Sequence, residues 1–480
     1  MTTWGNIPQG RAPRVHFSGI GGTGMVGVAR LALEAGWEVR GSDNPLYPPT
    51  SQMVEALRVP VAKSYAAANL DWQPDVVVIG NALSRKNTEL EAVLDRGLAY
   101  VSFPEWLRFA VLQSRKNIVV SGTHGKTTTT TLTSFLLDRC GLKPGWLIGG
   151  QPLDLEHPAT LGAPGDPFVI EGDEYDAAFF DKRAKFFSYL PHTLIVTSVE
   201  FDHADIYNNV EEIERAFRLL LREVPASGHV LLCADHERAV ALRDHAFSNI
   251  HTYGFDASAS WRIETVDVSP RGQTFRIHHA GKVWGEFFTT LFGRHNLQNA
   301  AAALIAASLH GATPAALAKA LPTFGGIKRR MEVFLETDGL TFVDDFAHHP
   351  TAIRETIAAA KSRWPDQNLT VIFEPRSNTT ATNRMQHELG EAFDGATEVW
   401  IGPIYRAEKY ADSIRLDRAR LIADISSRGP RAHFAEDVAS IVNHIHTNRT
   451  EHGIVMVLSN GAFGGIYELI RSQFGSQKNR

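Results

Sequence analysis

"VVSGTHGKTTTTTL", Val119 to Leu132, decides how this chain is read. An apolar run ends in a glycine-bearing turn, and a hydroxyl-rich stretch opens directly behind it. The usual phosphate loop places a first glycine five positions before the Gly-Lys-Thr step. Here that place is held by Val120, so the loop is short. The strand-to-helix setting still suits a phosphate, because backbone N–H groups and the positive end of a helix dipole converge there. Gly122 and Gly125 give the turn its freedom, Lys126 reaches terminal phosphates, the Thr127 hydroxyl ligates Mg²⁺ and Thr128 adds a hydrogen bond. The competing reading is a plain turn with a solvated lysine. Gly-Lys-Thr-Thr opening a helix straight after an apolar strand favours the phosphate.

The chain has 480 residues, which is more than one core supports. Its 44% hydrophobic and 21% charged residues suit packed globular domains. A net charge of −5 and no long basic run argue against nucleic acid and against an anionic membrane as partners. No apolar run approaches the roughly 20 residues of a membrane span. The opening "MTTWGNIPQGRAPR" lacks the apolar core of a signal peptide. Cys140 and Cys233, far apart, read as thiols, and the chain is expected in the cytoplasm.

Short β-branched runs, each followed by a Gly-rich or polar turn and a helical pattern, recur along the chain. They predict an α/β fold with mostly parallel sheets, whose ligands lie beyond the carboxyl ends of the strands. Weak points near Gln113–Lys116 and Phe324–Arg330 divide it into 1–113, 114–326 and 327–480. The stretch "TFRIHHAGKVWGEFFTTL" reads as a hairpin turning at Ala280-Gly281.

Strand ends then supply candidates. "VIEGDEYD" crowds Glu171, Asp173, Glu174 and Asp176, which need a cation or a basic partner; Mg²⁺ with a nucleotide is one, and a solvated acidic loop is the bland alternative. Asp202 and His203 follow the next strand. "GRHNLQNAAAALIAA" opens a helix with Asn296, a cap or a ligand, flanked by His295 and Asn299. "GIKRRMEVF" carries an arginine pair ending at Arg330. In "VDDFAHHPTAI", Asp344, Asp345, His348 and His349 crowd one strand end and Pro350 starts a helix; zinc is an alternative there, disfavoured by the adjacent histidines and the lack of cysteine. Arg376, with Ser377 and Asn378 behind it, suits a carboxylate of an incoming peptide, and Ser459, Asn460 and Gly461 form a further strand-end turn. Near the N-terminus, Gly19, Gly21, Gly22, Thr23 and Gly24 fit a dinucleotide fingerprint, with Asp43 about twenty residues on. Taken alone they predict an NAD-dependent oxidoreductase.

Together "GTHGKTT" and the motifs after it resemble the Mur ligases, three-domain enzymes with a Rossmann-like N-terminal domain, a central P-loop ATPase domain and a Rossmann-like C-terminal domain. The resemblance spans essentially the whole chain. It implies ATP as co-substrate and Mg²⁺ as cofactor, with Gly122, Thr123, His124, Gly125, Lys126, Thr127 and Thr128 on the phosphates. It puts Glu171 and His203, with Thr127, on magnesium, Asn296 near adenine and Arg330 on the γ-phosphate. It brings Asp344, Asp345 and His348 to ATP and the reacting groups on closure. It reassigns "GIGGTGM…GSD", including Ser42 and Asp43, to a UDP-sugar, with Asn81, Ala82 and His124 at the sugar end. Some family members carry a carbamylated lysine after the histidine; "NNVEEIERAFRLLLREVP" has no lysine. The segments "DEYDAAFFDKRAKF", "EFDHADIY" and "SNGAFGG" favour, as acceptor substrate, the murein tripeptide L-Ala-γ-D-Glu-meso-diaminopimelate. It would be joined to the lactyl carboxylate of UDP-N-acetylmuramate through an acyl phosphate, in peptidoglycan recycling. The alternatives are ligation of L-alanine and, more remotely, a nucleotide switch or the oxidoreductase.

Overall fold

The computed structural model describes residues 10–475 apart from 48–49, 205, 338 and 449–451. Residues 1–9, read above against a signal peptide, lie outside the described residues.

Three sheets follow one another along the chain. The first runs Val61–Ala62, Glu38–Ser42, Arg14–Ser18, Val76–Ile79 and Tyr100–Ser102 in space, all parallel. The second is ten-stranded. Its parallel centre runs Asn249–Gly254, His229–Cys233, Pro191–Val196, Asn117–Ser121, Phe168–Gly172 and Gly145–Leu147. Antiparallel strands flank this centre, among them the hairpin of Gly272–His279 and Lys282–Thr289. The hairpin turns at Ala280 (φ 51°) and Gly281 (φ 74°), two left-handed residues as a type I′ turn requires. The third sheet runs Glu332–Glu336, Leu340–Asp345, Gly453–Leu458, Asn368–Phe373, Glu398–Ile401 and Arg431–Phe434, antiparallel only at its first pair. The runs "NIVVS" and "GIVMVL" are buried throughout, as strands covered on both faces must be.

The cores divide unequally. Phe17 and Trp106 under the first sheet belong to the same apolar cluster as Phe168, Phe186 and Phe217 of the second. Gly27 of the helix Thr23–Glu34 lies so close that an added Cβ would meet Leu147 at 2.5 Å. The third sheet has its own cores, around Phe373 and Phe393 on one face and Phe342 and Trp400 on the other. It meets the rest mainly through polar side chains.

The helix Lys126–Arg139 holds five consecutive threonines. Threonine hydroxyls compete with helix backbone. Here Thr131, Thr133 and Ser134 donate to the carbonyls four residues back, at 2.7–2.8 Å, so these three hydroxyls are satisfied inside the buried helix, while that of Thr130 has no hydrogen-bond partner. Pro350 opens the helix Pro350–Arg363, where a missing N–H costs nothing, and a His349 ring nitrogen caps the turn by accepting from Thr351.

Candidate active site

Three strand ends of the second sheet meet at the short loop. Gly125, with φ 78°, caps the helix, and a side chain there would collide with Asn299. Lys126 is partly buried; its Nζ donates to the Gly122 carbonyl at 2.7 Å and to both oxygens of Glu174 at 2.9 and 3.1 Å. Thr127 donates to Glu171 Oε2 at 3.1 Å, while the Gly149 N–H holds Oε1 at 2.6 Å. His203 Nε2 lies 3.2 Å from Glu174 Oε1.

The electrostatics separate the two carboxylates. Burial raises Glu171 to about 7, Asp173 adds to the rise, and Gly149, Lys126 and Arg330 only partly oppose it. Burial also acts to raise Glu174, but the charges and hydrogen bonds of Lys126 and His203 prevail and hold it at about 2. Burial disfavours the Lys126 charge, yet Glu174, Asp173 and Glu171 keep its pKa above the ordinary value. Likewise Glu174 and Asp202 raise His203 against burial. Glu171 is therefore an under-compensated carboxylate beside the Thr127 hydroxyl. That donor set suits a hard dication carrying phosphate oxygens and water.

The third unit reaches over the loop. Arg330 Nη2 comes to 3.5 Å from Thr127 Oγ1, and its guanidinium faces the Phe346 ring at 5.0 Å. Its neighbours Arg329 (φ 61°) and Met331 (φ 52°) both hold left-handed backbones. Asp345 ties this turn down by accepting from the N–H groups of Met331 and Ala347, each at 2.8 Å. Burial raises its pKa. Asp344, raised by burial to about 6, accepts from Arg329 Nε at 3.3 Å and Tyr467 at 2.7 Å. His348 donates from Nδ1 to the Phe346 carbonyl at 3.0 Å and leaves Nε2 4.0 Å from Asp202.

Among the first sheet's candidates, Gly19, Gly21, Gly22, Thr23, Gly24, Asp43, Asn81 and Ala82 line the same cleft as the phosphate loop. The cleft measures about 1720 Å³. Asp43 anchors the glycine turn by accepting from the Gly21 N–H at 2.7 Å and from Tyr65 at 2.8 Å. Asn81 donates to Asp176 at 3.0 and 3.1 Å, tying the first unit to the second. Asn296 reaches the cleft wall; its Nδ2 donates to Phe292, and its carbonyl oxygen accepts from Asn299 at 3.2 Å. Arg376 stacks 3.6 Å from the Tyr405 ring centroid. Asn378 accepts from Tyr410 at 2.8 Å, and Ser377 pairs with Thr380 at 2.8 Å. Asn460 lines the cleft and keeps a buried amide oxygen without a hydrogen bond.

Three of the expected site residues are buried. Ser42 is fully buried and donates to Glu89 at 2.5 Å, in a network with His16 and Ser18, so it faces away from the sugar cleft. Ser459 likewise donates inward to Glu374 at 2.5 Å. Gly122 is buried and contributes its carbonyl to Lys126. Ser42 and Ser459 stand at strand ends, and period-two alternation turns their side chains inward.

Sequence reading missed several participants. Glu174 holds Lys126, although the sequence showed it only as one of four clustered acids. Lys185, in "DKRAKF", is buried in the cleft wall with Nζ 4.0 Å from the Tyr175 ring centroid and 3.4 Å from Asp173. Arg329 threads to the carbonyls of Ser459 at 2.5 Å and Gly461 at 2.9 Å. Glu200 gathers His124, His349 and Thr351.

Family models match in chain order: the Mur ligase family catalytic domain over 14–115, the Mur ligase middle domain over 120–307 and the Mur ligase glutamate ligase domain over 329–461. The chain belongs to the Mur ligase family. These enzymes use ATP and, as a family property, Mg²⁺. The Mur ligase match sets aside the oxidoreductase and nucleotide-switch readings. The chain is 38% identical, over 95% of its length and 97% of the relative's, to the UDP-N-acetylmuramate–L-alanyl-γ-D-glutamyl-meso-2,6-diaminoheptandioate ligase of Escherichia coli. It is 32% identical to the UDP-N-acetylmuramate–L-alanine ligase of Caldanaerobacter subterraneus, over 95% of this chain and 96% of that one. The crystal structure of a murein peptide ligase from Psychrobacter arcticus superposes with a TM-score of 0.71 at 34% identity, covering 96% of this chain and 98% of that chain. Among the described residues, no helix is long and apolar enough to cross a membrane.

Proposed function

We propose that this Mur ligase joins L-Ala-γ-D-Glu-meso-diaminopimelate to the lactyl carboxylate of UDP-N-acetylmuramate at the cost of ATP. The observation that carries the reaction type is the approach of Arg330, from the third unit, to the Thr127 hydroxyl of the phosphate loop. Two units would thereby surround one phosphate. The tripeptide acceptor is supported by the full-length likeness to the E. coli ligase at 38%, above the 32% to an L-alanine ligase.

Residues 1–113 would hold the sugar nucleotide, 114–326 ATP and 327–480 the peptide. The lactyl carboxylate attacks the γ-phosphorus and ADP departs, giving an acyl phosphate. Lys126 exchanges Glu174 for the terminal phosphates, and Arg330 offsets charge on the equatorial oxygens; catalysis is positioning and electrostatics. Thr127, Glu171 and His203 would hold Mg²⁺, which neutralises phosphate charge when bound. The peptide amine then attacks the acyl carbon, phosphate leaves and the amine loses a proton. Arg376, with Ser377, Asn378 and Asn460 nearby, would seat a peptide carboxylate. Closure of the third unit excludes water from the acyl phosphate. Substrates of this kind place the enzyme in the cytoplasm, in peptidoglycan recycling.

The test supplies UDP-N-acetylmuramate, ATP and Mg²⁺ with either tripeptide or L-alanine. Stoichiometric ADP and a muramyl tripeptide are expected. Preference for L-alanine would replace the acceptor, and no acceptor-dependent ATP consumption would end the reading.

A further inference from the structure

His124 of the phosphate loop, Glu200 beyond the strand Pro191–Val196 and His349 before the helix Pro350–Arg363 bring one donor atom each within 4.8 Å of one another. His124 Nε2 lies 3.1 Å and His349 Nδ1 3.5 Å from the same carboxylate oxygen, Glu200 Oε2. The two rings sit 4.6 Å apart, centroid to centroid.

The protonation of His349 is set by its neighbours. Nε2 faces the Phe201 carbonyl at 3.2 Å, so it carries the proton. Nδ1 accepts the Thr351 N–H at 3.3 Å, so it carries the lone pair. Burial, chiefly, pushes this ring down to about 4, which keeps it neutral. That lone pair also faces the Glu200 oxygen with no proton between the two, and a cation bound to it would displace the long Thr351 contact. Histidines that ligate metals characteristically donate their other ring N–H to a backbone carbonyl, as His349 does to Phe201. The Thr351 hydroxyl, at 2.7 Å from Glu200 Oε2, orients the carboxylate in the same way. Tetrahedral zinc bonds of about 2.1 Å separate donors by about 3.4 Å, close to both contacts on Glu200.

We infer that His124, Glu200 and His349 form a binding site for a borderline divalent transition cation of the zinc class, separate from the magnesium donors Thr127, Glu171 and His203. Two imidazoles and one carboxylate select zinc or cobalt over magnesium, which prefers oxygen. The fourth position opens to the cleft, which His124 and His349 line. His124 comes from the second unit and His349 from the third. A bound cation pins the third unit against the phosphate loop, so it stops turnover rather than supporting it.

The probe is Co²⁺, added to the full chain in excess Mg²⁺. A visible band of four-coordinate cobalt at one per chain, abolished by Zn²⁺, is expected, with a raised melting temperature. Glu200→Gln and His349→Gln, each first shown to melt like the wild type without metal, weaken cobalt binding more than about tenfold. Cys140→Ser and His251→Gln, at the far end of the sheet, leave the band unchanged. A wild-type spectrum lacking the band overturns the site, as does a band that persists in both ligand variants. Zn²⁺ also inhibits ligation in saturating Mg²⁺, reversibly on chelation. That arm rests on the proposed activity, whereas the spectrum does not, so failure of one is told apart from failure of the other.

Discussion

The two ends of the second sheet solve one physical problem in opposite ways. At the carboxyl ends of its strands, Glu174 is buried and Lys126 and His203 are partly buried, and each has an opposite charge in hydrogen-bond contact that works against desolvation. At the other end, histidines are packed against one another. His229 Nδ1 lies 3.1 Å from His251 Nε2, Trp261 donates to the other His251 nitrogen at 3.3 Å, and His310 meets Thr193 at 2.9 Å. Burial, and then neighbouring histidines, push His251 and His310 down to about 4, while burial and then Lys116 lower His192 and His229. Desolvation acts at both ends; only the end with partners keeps its charge. Compensated charge marks the end proposed to meet phosphate.

The sharpest way to break this contrast is Lys126→Ala. Steady-state ligation should fall by about 100-fold or more in kcat, the scale for losing one preorganised charge donor. A near-normal rate would remove the loop from the chemistry.

Next comes pH. A histidine lowered from 6.5 to about 4 is neutral in the fold while the unfolded chain protonates, so stability drops as pH falls from 6.5 through 4. Glu171, raised to about 7, has the opposite sign: stability rises as pH falls from 7 to about 4.5. In urea melts across this window His251→Gln should flatten the fall by up to about 3 kcal/mol, and Glu171→Gln should steepen it. Equal slopes in both variants would mean the two ends do not differ.

A smaller effect is expected of Gly461→Ala. The added methyl collides with the Arg376 guanidinium and lifts it from Tyr405. The KM for peptide should rise about tenfold, roughly 1.4 kcal/mol, with kcat and the KM for ATP nearly unchanged. Smallest of all, Thr133→Val removes a hydroxyl bonded only within its own helix, and thermal melting should report about 1 kcal/mol.

Much of this was legible in the letters. The glycine–lysine–threonine step, the hairpin at Ala280-Gly281 and the helix start at Pro350 are local signals, set by backbone freedom and missing N–H groups, and each appears where expected. What the letters hid is pairing across distance. Which of four clustered acids would hold Lys126 depends on side-chain direction beyond a strand end, and Glu174 differs from Asp173 only by one position. Arg329 and Arg330 are neighbours in sequence, yet a left-handed backbone sends one to Ser459 and the other to Thr127. Glu200 acquires meaning only when a helix 150 residues away sets His349 and Thr351 against it. The alternation that turned Ser42 and Ser459 inward was readable, had strand register been followed to its last residue.

The link that carries Arg330 over the phosphate loop is wound against its preference. Arg329 and Met331 each hold a conformation that costs on the order of 1–3 kcal/mol for a residue with a side chain, and Asp345 and Glu332 keep them there through backbone N–H groups. Such a joint behaves as a cocked catch. Removing either carboxylate would release that backbone, so the place of Arg330 over the loop depends on these two acids as much as on the arginine itself.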